Sequence, residues 1–87
     1  MKHAHHPEIV KRLKRAHGHL RCTIEMIEDG RPCPDVAQQL HAVSKAIEQA
    51  KRLFIHDHID HCLEGSIGDG GRQQALIEEF KEISKYL

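Results

Sequence analysis

Eighty-seven residues make one small domain whose modest core would gain stability from a partner subunit. The 13 Lys/Arg balance the 13 Asp/Glu, and no apolar run is long enough to span a membrane. No signal peptide is expected, and three cysteines are an odd count that does not suggest a disulfide framework, so a reducing, cytoplasmic setting is expected. With one Tyr, two Phe and no Trp, base stacking on single strands lacks its aromatic platforms.

Residues 1–6, Met-Lys-His-Ala-His-His, read as a flexible tail whose His3, His5 and His6 are candidate metal ligands. A first helix is expected over 7–29. Pro7 suits the first helical position, Glu8 suits the helix dipole, and Gly30 ends it. Its apolar stripe is Ile9, Leu13, Ala16, Leu20, Ile24 and Ile27. Gly18 inside a helix costs roughly 1 kcal/mol against Ala, which suggests close packing there. The short link Gly30-Arg31-Pro32-Cys33 folds the next helix back as an antiparallel hairpin.

The second helix is expected over 34–64, about 45 Å long at ~1.5 Å per residue, too long for so short a chain to wrap. Pro34 and Asp35 repeat the opening signal and place Cys33 at the N-cap, where the helix dipole favours a thiolate. Val36, Leu40, Val43, Ile47, Ala50 and Phe54 alternate steps of four and three, a heptad-like seam. Ala42, Ala46 and Ala50 make a small-residue row. Gly-Ser-Ile-Gly-Asp-Gly-Gly at 65–71 is a linker, and no GK[ST] follows to make it a phosphate loop. A third helix is expected over 72–87, with Leu76, Phe80, Ile83 and Leu87 on one face. Strand alternation is absent, so the fold class is all-α, a three-helix protomer.

His58 and Cys62 are four apart and share one helix face, with His61 as a further donor beside them. Cys33 lies 25 residues earlier, about 37 Å along the same helix at ~1.5 Å per residue. Metal ligands must come within ~2.0–2.3 Å of one ion. The three can therefore meet only if two copies pack antiparallel, Cys33 of one beside His58 and Cys62 of the other, giving two equivalent sites. The midpoint of such a crossing falls between Ala46 and Ile47, on the alanine row. A zinc finger is disfavoured because no CxxC or paired-ligand spacing exists.

The balanced charge hides an asymmetry. Residues 1–52 hold ten Lys/Arg against six Asp/Glu, a net of +4, and residues 53–87 hold three against seven, a net of −4. Lys11, Arg12, Lys14, Arg15 and Arg21 on the first helix, with Lys45, Lys51 and Arg52 on the second, are candidates for a phosphate-binding surface. No helix-turn-helix motif is visible, so binding to double-stranded DNA would lean on phosphates and DNA shape, with strong salt dependence. A metal buffer would use the same ligands without DNA, and a structural oligomer would need neither. An enzyme is not expected, since no acid–base pair or cleft is visible.

The chain resembles the copper-sensitive operon repressor and nickel/cobalt-resistance regulator family over essentially its whole length. The likeness is carried by Val10-Lys11-Arg12-Leu13-Lys14-Arg15 with Gly18, Ile27-Glu28-Asp29-Gly30-Arg31-Pro32-Cys33, Gln38-Gln39-Leu40, Asp57-His58 and His61-Cys62. The resemblance implies an antiparallel hairpin dimer, a tetramer made of two dimers, and an apo repressor that leaves operator DNA when metal binds. It makes Cys33, His58 and Cys62 the ligands, and Arg12, Lys14, Arg15 and Arg52 DNA contacts. Glu78 falls where the copper sensors carry a glutamate behind the ligands, while their tyrosine before the first Cys is Pro32 here. Two thiolates and an imidazole suit Cu(I). The His-rich start and His6-Pro7-Glu8-Ile9-Val10 look like the nickel/cobalt branch, so Ni(II) or Co(II) is expected ahead of Cu(I), then Zn(II). Formaldehyde-sensing relatives need a proline at position two, here Lys2, and persulfide-sensing relatives lack His58.

Overall fold

A computed structural model describes residues 6–65 and 70–87 and, within them, the side chains of 6–60 and 74–87. The order is α1 (Pro7–Glu28), α2 (Cys33–Gly65), α3 (Gly70–Ile83) and a 3-10 turn, Ser84–Tyr86. Among the described residues there is no strand, so the all-helical expectation holds. The described residues fall into two compact units, His6–Lys51 and Arg52–Leu87.

In the first unit, α1 opens with Pro7 at its first turn and Glu8 beside it. His6 stands at the N-cap in left-handed backbone, φ 37°, and its carbonyl accepts from Val10 N–H at 3.0 Å. At the other end Gly30 takes φ 73°. Arg31 N–H then reaches Met26 O at 3.0 Å and Gly30 N–H reaches Ile27 O at 3.1 Å, the paired bonds of a left-handed helix cap. A side chain at Gly30 would strain that cap. Gly30→Ala is expected to destabilise the fold by about 1–2 kcal/mol, read as a lowered thermal midpoint by circular dichroism.

Pro32 O accepts from Asp35 N–H at 3.0 Å and from Val36 N–H at 3.2 Å. Pro32 is thus the cap of α2. Cys33 is its first helical residue rather than the N-cap expected for it.

The hairpin core is narrower than the apolar stripes. Ile9, Ala16 and Thr23 are buried on α1, and Val36, Val43 and Ala50 on α2. Each set repeats every seven residues. The pairs Thr23/Val36, Ala16/Val43 and Ile9/Ala50 are all centred on the Asp29–Gly30 turn, which is the register of an antiparallel hairpin. His19 Nε2 donates to Gln39 Oε1 across it at 2.6 Å. Thr23 is wholly buried, and its hydroxyl is satisfied by His19 O one turn earlier at 2.9 Å.

The other half of each stripe stays in solvent. Leu13, Leu20, Ile27, Leu40 and Ile47 are 37–55% exposed. Each stands four residues from a seam position, about 40° round its helix. Antiparallel helices turn in opposite senses, so all five lie on the same flank of the hairpin. Ile24 and Phe54 of the expected stripes are exposed as well. Among the described residues Gly18 has no packing reason, since a Cβ built there meets nothing within 4 Å.

In the second unit Ile55 and His58 of α2 are buried. On α3, Leu76 and Ile83 are half-buried, whereas Phe80 and Leu87 of the expected face are exposed. α3 starts two residues earlier than the third helix expected over 72–87 and ends at Ile83. There Ser84 Oγ donates to Lys81 O at 2.8 Å and the chain tightens into its 3-10 turn. Gly65, Gly70 and Gly71 of the expected linker are helical, and its residues 66–69 lie outside the described residues.

Candidate metal centre and basic face

His58 is 6% exposed. A buried imidazole needs a polar partner, and α3 supplies one: His58 Nε2 lies 2.9 Å from Glu79 Oε1. The ring N–H donates to the carboxylate. A histidine that donates through Nε2 binds a cation through Nδ1, and a carboxylate behind the ring fixes that tautomer and raises its basicity.

The carboxylate that meets His58 is that of Glu79, not of its neighbour Glu78. Glu78 is exposed and accepts from Gln74 Nε2 at 3.2 Å within its own helix. One residue is about 100° of helix, enough to carry a side chain off the packed face. The signal for Glu79 was its spacing, three after Leu76 and four before Ile83, the two half-buried residues of α3.

Cys33 is an exposed free thiol at the first residue of α2, and His58 lies 25 residues further along the same helix. Cys22, which no reading assigned a role, is also an exposed thiol. The side chains of His61 and Cys62, and residues His3 and His5, lie outside the described residues. His6 is half-buried at the start of α1. Among the described residues no three His, Cys, Asp or Glu gather round one point.

Lys11, Lys14, Arg15 and Arg21 are exposed on α1, as are Lys45 and Arg52 on α2. The four on α1 lie about 140–240° round the helix from the line Ile9–Ala16–Thr23, so burial of that line turns them outward. Arg12 is half-buried, 3.9 Å from Glu8 one turn away, and Lys51 pairs with Glu48 at 3.2 Å. Exposed pairs of this kind contribute well under about 1 kcal/mol and leave the guanidinium and ammonium groups able to exchange partners. Among the described residues no helix is long and apolar enough to cross a membrane.

The described residues thus present exposed cations on α1, an apolar flank on the hairpin and a histidine held by a carboxylate. Residues 5–87 match the family described as metal-sensitive transcriptional repressors, and the chain belongs to that family, whose members are not enzymes. It is 40% identical over 77 residues to the copper-sensing transcriptional repressor CsoR of Mycobacterium ulcerans, covering 88% of this chain and 65% of that one. The chain thus spans just under two thirds of that relative. To the CsoR of Bacillus subtilis it is 35% identical over 81 residues, covering 90% of this chain and 80% of that one. Among solved structures, the nickel-responsive transcriptional regulator InrS superposes with a TM-score of 0.79 at 33% identity, over 98% of this chain and 94% of that one. The Cu(I) form of CsoR from Geobacillus thermodenitrificans gives 0.79 at 32%, over 99% and 93%.

Proposed function

We propose that the chain is a metal-responsive repressor that binds operator DNA as apo protein and releases it when Ni(II) or Co(II) binds. The observation that carries this reading is the buried His58 held by Glu79, in a chain whose α1 turns four cations to solvent. Cys33, His58 and Cys62 would hold the ion, with His6, His3, His5 or His61 adding donors. The span of about 37 Å between Cys33 and His58 along α2 requires two copies to share each site. The exposed flank of Leu13, Leu20, Ile27, Leu40 and Ile47 supports pairing of copies. Two such dimers make the tetramer.

The tail histidines and the likeness to a nickel-responsive regulator support Ni(II) or Co(II). Cu(I) is the second reading, favoured by the copper-sensing relatives and by a donor set of two thiolates and one imidazole. Release requires that the ion be bound with unequal affinity in the two states of the protein. A coupling of about 1–3 kcal/mol, roughly 5–150-fold in DNA affinity, is ordinary. Lys11, Arg12, Lys14, Arg15, Arg21, Lys45 and Arg52 would meet the phosphates.

The test is an anisotropy titration of duplex from upstream of the chain's own gene. It is run with apo protein, then with one equivalent per chain of Ni(II), Co(II), Zn(II) or Cu(I). Apo protein is expected to bind with an affinity that falls steeply with salt. Lys14→Ala or Arg15→Ala should each reduce the slope of log K against log salt by about 1. Ni(II) or Co(II) should release the DNA. No apo binding at low salt would sink the repressor reading and leave a metal buffer.

A further inference from the structure

Gly18 sits in the middle of a helix, where it costs stability against Ala, and none of the described residues packs on it. An added Cβ would meet no atom within 4 Å, and the backbone there is not left-handed. Neither conformation nor packing among the described residues asks for glycine. Its surroundings on the helix surface do. The neighbours at three and four residues are Lys14, Arg15, Arg21 and Cys22, all exposed, with exposed Lys11 one further turn back. Three of the four positions that ring Gly18 are cations. The face turns acidic only at Glu25, seven residues on.

We infer that Gly18 is a bare-backbone window in the basic face of α1, through which the sugar-phosphate strand of duplex DNA approaches the helix. A Cβ there would hold the strand off the helix. The cations around it would then reach their phosphates from further away and less well aligned, and charge-assisted hydrogen bonds weaken steeply with misalignment. Glycine thus admits a rod-like polyanion at the point where Lys14, Arg15 and Arg21 converge. The inference rests on the repressor reading and adds a residue that sets affinity without carrying charge.

The test sets stability against affinity. Gly18→Ala should raise the thermal midpoint by a few degrees, because nothing obstructs the methyl group and helix propensity improves. The same variant should bind operator duplex more weakly. Gly18→Leu should lose at least about tenfold, equivalent to ~1.4 kcal/mol, with metal affinity and copy number per particle unchanged by sedimentation. If Gly18→Leu binds duplex as tightly as the unmodified chain, the inference is wrong and the repressor reading stands. If Gly18→Ala changes the copy number, the window faces another protomer instead, and the inference is overturned. If the unmodified chain itself binds no duplex, both readings fall together.

Discussion

Cys33→Ala should abolish metal-driven release of operator DNA while leaving apo binding within about twofold. The thiol is exposed at the start of α2, so its removal costs the fold little, within about 0.5 kcal/mol for a surface position. Nor does it touch the basic face of α1. What it removes is one of the three proposed thiolate and imidazole donors, the one that the antiparallel pairing takes from the second copy. A site reduced to His58 and Cys62 on a single helix end would no longer bridge two copies. Anisotropy with saturating metal checks this. Release that persists in Cys33→Ala would refute the shared-site mechanism.

Glu79→Gln should weaken metal binding by about 10–100-fold, the usual effect of removing a partner behind a ligand histidine. The amide oxygen of Gln can still accept from His58 Nε2, so the packing survives. The negative charge that makes the imidazole a better donor does not. Glu78→Gln should change metal affinity little, because that carboxylate meets Gln74 on the solvent side of α3. Competition against a metallochromic chelator measures both variants. A large loss in Glu78→Gln with none in Glu79→Gln would reverse the assignment made from the 2.9 Å contact.

The contrast between these two glutamates shows what the sequence carries and what it does not. Adjacent in sequence and identical in chemistry, they differ only in which faces α2. A resemblance mapped by counting along the chain selects Glu78, while packing selects Glu79. The ligand candidates were legible because metal chemistry restricts donor types and a helix restricts spacing. Thr23 was not legible as core. Its hydroxyl suggests solvent, and only the bond to His19 O makes its burial acceptable.

By itself the sequence determined the three helices, the tight reversal at Gly30 and the basic character of α1, and it named Cys33, His58 and Cys62 as candidate donors. These follow from local rules: Pro and Gly at helix ends, a 3.6-residue period, and the chemistry of single side chains. The tertiary structure decided which half of each apolar stripe is buried, leaving Leu13, Leu20, Leu40 and Ile47 in solvent. It also decided which carboxylate holds His58. Both depend on how one helix is rotated against another, and a single residue is about 100° of that rotation.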